Sequence, residues 1–267
     1  MRPRQPRVLN LALLLAATWV LFLAGCSSSP AVQLPYEIVA EHPHDPQAFT
    51  QGLEYLDGAL YESTGLYGSS SLRKVDLVTG EVQEIRYLPA NVFGEGLARI
   101  EDALTQLTWR AGEAYRWPIE GFVTVASPLH TFRYTGEGWG LCFNGTALVM
   151  SNGGSELTFR DPETFEALKT VTVTLNGDPI ERLNELECVG DHVWANVWFD
   201  DRVLRIQAAT GRVDAWLDLS ELLSETQRGA LDEDAVLNGL AWRPDTQTLL
   251  VTGKLWPTLF ELRLMEP

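Results

Sequence analysis

The sequence predicts an all-β protein, a five-bladed β-propeller in which an N-terminal strand closes the last blade. Three observations carry this reading. One unit recurs five times, its copies are built from short alternating strands, and no 3.6-residue period runs through any of them.

Each unit opens on Gly-Leu or a near relative, continues as an alternating strand, turns, and returns as a second strand. The copies are QGLEYLDGALYESTG (51–65), EGLARIEDALTQLTW (95–109), WGLCFNGTALVMSNG (139–153), NELECVGDHVWANVW (184–198) and NGLAWRPDTQTLLVTGK (238–254). Their anchoring leucines, Leu53, Leu97, Leu141, Leu186 and Leu240, are spaced by 44, 44, 45 and 54 residues. The longer last gap holds SELLSETQRGALDED (220–234), read as a short helical insertion with a polar face. Further strands follow each pair, as in LRKVDLVTGEVQEIRYL and VLRIQAATGRVDAWLDL, with Thr-Gly at the turn. Four short strands per unit make a propeller blade, whereas a large sandwich requires no such repetition. The fifth unit ends one strand short, and YEIVAEH (36–42) stands unassigned before the first. Pairing the two would close the ring and remove its edges.

Ahead of this domain the chain is of another kind. Residues 1–25 are basic and then apolar, the pattern of a secretory signal. LAGC at 23–26 resembles a bacterial lipobox, which would make Cys26 a lipidated first residue; the alternative is a plain membrane anchor. The expected organisation is a signal at 1–25, a linker at 26–35 and a catalytic propeller at 36–267. Such a protein would be exported and held in the bacterial envelope, at an outer membrane facing the periplasm, and would touch membrane only through its lipid. The formal charge is −16, and −19 without Arg2, Arg4 and Arg7 of the leader. So negative a chain is a poor partner for nucleic acid, which requires clustered Lys and Arg. Cys142 and Cys188 are expected as two buried thiols, with a single bridge left open.

The repeats also locate a site. Two residues before each anchoring leucine stand Gln51, Glu95, Trp139, Asn184 and Asn238. At the end of the second strand stand Gly65, Trp109, Gly153, Trp198 and Lys254. The start of one strand and the end of its antiparallel neighbour share an edge, so both sets face one rim. Packing alone would keep matching positions alike. Here they diversify into one carboxylate, one ammonium, three amides and three indoles, an apolar cup with few polar groups.

The motifs HDPQAFTQGL (44–53), YESTGLYG (61–68), FGEGL (93–97), QLTW (106–109), GEGWGL (136–141), LNELE (183–187), ANVW (195–198), VLNGLA (236–241) and VTGKLWP (251–257) resemble those of plant and bacterial type glutaminyl cyclases, or glutamine cyclotransferases. The likeness spans about residues 36–263. It implies cyclisation of an N-terminal glutamine to pyroglutamate with release of ammonia, on peptide or protein substrates. It implies Glu95 as acid/base, with Lys254 and Asn184 as polar partners on the γ-amide. Trp109, Trp139 and Trp198 would wall the pocket, and Phe49, Gln51, Phe93 and Asn238 would line it.

No cofactor is expected to be required. His42 and His44 have no third ligand at a metal spacing, and a structural calcium ion in the channel stays open although no acidic loop marks it. The alternative function is a non-catalytic, lipid-anchored propeller that binds peptides or sugars. Glu95 with Lys254 argues against it, because sugar stacking requires neither.

Overall fold

The computed structural model describes residues 30–265. The expected signal peptide and Cys26 lie outside the described residues. Five antiparallel sheets radiate from an axis, each numbered outward from its inner strand. The first is Thr50–Leu56, Ala59–Thr64, Ser71–Asp76 and Val82–Tyr87. The second is Gly94–Ile100, Ala103–Thr108, Glu113–Pro118 and His130–Arg133. The third runs from Leu141–Phe143 through Leu148–Met150 and Glu156–Arg160 to Ala167–Thr172. The fourth is Leu183–Val189, His192–Val197, Arg202–Gln207 and Val213–Asp218.

The fifth blade closes as the sequence predicts. Leu237–Arg243, Thr248–Gly253 and Thr258–Leu264 come from the end of the chain, and Tyr36–Pro43 supplies the outermost strand. Tyr36 pairs with Leu264 and Pro43 with Thr258. The expected linker is shorter than predicted, because Val32–Gln33 adds to the outer edge of the fourth blade as a parallel strand. An unpaired edge there offers hydrogen-bonding groups that the preceding segment takes up. The insertion between blades four and five holds the helix Glu225–Gly229, closed by a capping box between Ser224 and Gln227.

The second strands are buried almost throughout, as in Ala103–Thr108 and Thr248–Gly253, and period-two alternation shows in outer strands such as Val213–Asp218. Leu53, Leu97, Leu141, Leu186 and Leu240, one per inner strand, are each at most 1% exposed and pack between neighbouring blades. A glycine precedes four of these leucines. A Cβ on Gly52 would lie 2.5 Å from the Leu97 nitrogen, one on Gly96 2.5 Å from that of Leu141, and one on Gly140 2.0 Å from the Asn184 oxygen. These glycines let the inner strands meet backbone to backbone near the axis. Glu185 takes the equivalent place in blade four. Its carboxyl accepts from the amides of Leu240 (2.9 Å) in blade five and Leu53 (3.4 Å) in blade one.

Cys142 and Cys188 are bridged, with Cα atoms 5.5 Å apart, which corrects the expectation of two free thiols. They lie on the inner strands of blades three and four, which the ring brings side by side.

Candidate active site

Each rim residue owes its direction to a break in pairing. In blade two the register shifts between Gly94 and Leu97, which face Thr108 and Gln106, so one extra residue bulges out around Glu95. The same shift occurs between Thr50 and Gly52, Leu183 and Leu186, and Leu237 and Leu240. In blade three, Trp139 and Gly140 both pair with Ser151. A bulge bends the strand and re-aims a side chain. Bulges at one level turn Gln51, Glu95, Trp139 and Asn184 toward a common space.

Glycines seat the aromatic walls. A Cβ on Gly65 would lie 2.2 Å from the Phe93 ring, and one on Gly153 2.6 Å from the Trp139 indole. Gly94 and Gly96, which flank Glu95, are not turn glycines. Neither has a positive φ. Gly96 instead lets its own amide reach the Trp139 carbonyl of the next blade at 2.6 Å.

The resulting cavity is about 260 Å³ and is lined by Phe49, Gln51, Phe93, Glu95, Trp109, Trp139, Asn184, Trp198 and Lys254, together with Leu66 and Asp234. Every sequence-predicted pocket residue except Asn238 therefore lies on it. Asn238 sits one layer back. Its amide nitrogen donates to the Gln51 side-chain oxygen (3.2 Å) and to the Thr50 carbonyl (2.9 Å). Gln51 in turn donates to Glu95 Oε1 at 3.3 Å. Asn238 thus orients the amide that touches the carboxylate.

Leu66, Asp234 and Glu137 were not read from the sequence. Leu66 follows Gly65 directly, and Asp234 ends the insertion of blade five. Glu137 lies between two glycines, as Glu95 does, which was the signal available.

Glu95 is 4% exposed. Burial pushes its carboxyl well above the usual range; Lys254 opposes this and Glu137 adds to it. Desolvation prevails over the opposing ammonium. Burial also lowers Lys254, to about 8, against the opposing pull of Glu95 and Asp234. The Lys254 ammonium lies 4.8 Å from the centre of the Phe49 ring. Asn184 is 2% exposed, and its side-chain oxygen has no protein partner, so its amide has bonding capacity to offer a ligand. The pocket therefore pairs a dry proton carrier with a weakly held ammonium and a free amide, inside aromatic walls.

Among the described residues, no group of three or more His, Cys, Asp and Glu is placed to hold a metal ion. His44 is taken up by structure, between Glu62 (3.1 Å) and the Trp256 carbonyl (2.6 Å).

Comparison with known proteins points the same way. The glutamine cyclotransferase family model matches residues 11–264. A curated glutaminyl-peptide cyclotransferase of Arabidopsis thaliana is 40% identical over 279 residues, 99% of this chain and 85% of the relative. The crystal structure of Myxococcus xanthus glutaminyl cyclase matches with a TM-score of 0.79 at 40% identity, over 88% of this chain and 98% of that one. With the five-bladed ring and its aromatic pocket, these matches establish that the chain belongs to the glutamine cyclotransferase family.

Proposed function

We propose that this pocket cyclises N-terminal glutamine to pyroglutamate, the chain being a glutaminyl-peptide cyclotransferase. The observation that carries the reading is one buried carboxylate, Glu95, facing a cavity of about 260 Å³ walled by aromatic rings. That volume lies below the range of pockets for drug-sized ligands, about 300–1,000 Å³. It suits a single N-terminal residue, with the rest of the peptide outside.

The chemistry requires little more than folding and proton transfer. The α-nitrogen and the γ-amide belong to one residue, so holding the side chain curled supplies the proximity. The α-nitrogen attacks the γ-carbonyl carbon, a carbon–nitrogen bond forms, and the α-nitrogen gives a proton to Glu95. The carbonyl oxygen takes up negative charge, which the Lys254 ammonium is suited to receive, while Asn184 holds the amide. Glu95 then passes its proton to the departing amide nitrogen, the original bond breaks, and ammonia leaves. A carboxyl raised by burial is matched to both halves, because it takes up a proton more readily than an exposed carboxylate and can still give it to the leaving nitrogen. Trp109, Trp139 and Trp198 keep water out and pack around the substrate's neutral α-amine, the form that attacks.

The apolar leader and Cys26 support an exported protein, lipid-anchored in the bacterial envelope and acting on peptides or proteins there. The chemistry uses no metal.

The test is ammonia release from Gln-Phe by the soluble domain, with and without EDTA. The reading predicts release at the same rate in both. No ammonia above background would refute the enzyme, and loss of activity in EDTA would refute the metal-free route.

A further inference from the structure

The pocket wall is an arc of aromatic rings. Phe49 meets Phe93 at 6.1 Å between centroids, Phe93 meets Trp109 at 5.5 Å, and Trp139 meets Trp198 at 5.5 Å. Between Trp109 and Trp139 the link is Glu137. Its Oε2 accepts from Trp109 Nε1 at 2.8 Å and from Trp139 Nε1 at 3.0 Å. Its Oε1 accepts from Arg110 Nε at 2.9 Å, and the Arg110 guanidinium lies 3.7 Å from the Trp109 ring centre.

An indole has one polar atom, so a bond to that atom fixes the angle of the ring. One oxygen bonded to two indoles fixes both relative to each other, across the join between blades two and three. Burial would raise the Glu137 carboxyl, but donation from Trp139, Trp109 and Arg110 outweighs it and holds the group below its usual value. Glu137 is therefore an anion beside the pocket.

We propose that Glu137 is a positioning residue of the pocket, clamping Trp109 and Trp139 through one carboxylate and holding a negative charge that acts on Glu95. Its role in turnover rests on the cyclase reading; the clamp itself does not. The groups acting on Glu95 come from every side. Lys254 of blade five and Glu137 act through charge, Gln51 of blade one donates to it, and the Tyr134 phenol lies near enough to be raised by its charge. Removing the Glu137 charge takes away one of the two influences that raise the Glu95 carboxyl and leaves Lys254 to oppose burial alone, so Glu95 ionises at lower pH.

The experiment compares Glu137→Gln and Glu137→Asp with the wild type, by near-ultraviolet circular dichroism without substrate and by the pH profile of kcat/KM on Gln-Phe. Gln has nearly the same shape but loses the charge, and its one acceptor oxygen can serve either the two indoles or Arg110, so Trp109 loses either its own bond or the anchored guanidinium stacked on it. Its indole spectrum should change while the far-ultraviolet spectrum stays native. Its kcat/KM should fall by about 10- to 100-fold, since displaced pocket groups cost rates of that order, and its acid limb should move to lower pH. Asp keeps the charge but is too short to hold both indoles, so its rate falls while its acid limb stays near that of the wild type. An unchanged indole spectrum or an unmoved acid limb in Glu137→Gln overturns the proposal. Inactive wild-type protein would instead refute the cyclase reading, and the spectra would still decide the clamp.

Discussion

Gly96 is the residue where packing and chemistry meet, and Gly96→Ala is the sharpest test of why the ring closes as it does. An added Cβ would lie 2.5 Å from the Leu141 nitrogen, 2.6 Å from the Gly140 carbonyl carbon and 2.7 Å from the Trp139 carbonyl oxygen. All three atoms are backbone, so no side chain can swing aside. The blades must separate locally by several tenths of an ångström or more, and the 2.6 Å bond from the Gly96 amide to Trp139 is lost or stretched. Overpacking of this kind costs about 1–3 kcal/mol, and the hydrogen bond adds about 1 kcal/mol. For a domain of this size a loss of about 2–4 kcal/mol lowers Tm by about 5–15 °C. Glu95 is the adjoining residue, so kcat should fall as well. Thermal unfolding by circular dichroism and initial rates on Gln-Phe measure both effects. Gly229→Ala is the control, because nothing lies within 4 Å of its added Cβ. A Gly96→Ala protein with the Tm and kcat of the parent would refute the close-approach reasoning.

Lys254 predicts an alkaline limit. Its side chain is pushed down to about 8, so the ammonium is lost as pH rises through that value and kcat/KM should fall with it. Lys254→Arg, which stays charged, should move that limb upward on the same substrate; an unmoved limb would assign it to another group. The Cys142–Cys188 bridge encloses a separation of 46 residues, for which chain entropy suggests stabilisation of up to about 4 kcal/mol. The double Ser variant should therefore melt earlier than the wild type under oxidising conditions, and identical melting would contradict a stabilising bridge.

Much of the fold is legible because a ring repeats. Five leucines at near-equal spacing mark five inner strands, and the strand missing from the last unit has its match in YEIVAEH. The two rim sets follow from strand direction alone, and nine of the ten residues predicted for the pocket line it. The rest depends on contacts between strands about 45 residues apart. The bulges at Glu95 and its counterparts are properties of register, which composition does not carry. Gly96 looks like a turn residue in one strand and is explained only by Leu141 of the next blade. The bridge likewise follows from the adjacency of two inner strands. Asn238 is set behind Gln51, with its amide nitrogen donating to the Thr50 carbonyl and to Gln51 itself. Glu137 is legible only once both indoles are seen to end on one oxygen.

The central claim is that Glu95 carries the proton, and Glu95→Gln tests it most directly. The substitution keeps the shape of the side chain and can still accept from Gln51, so the fold should persist and be verified by its melting curve. The measurement is pyroglutamyl-Phe formed from Gln-Phe at saturating substrate. Loss of a general acid/base should lower kcat by at least about 10²-fold. A folded Glu95→Gln protein turning over at the wild-type rate would contradict the account.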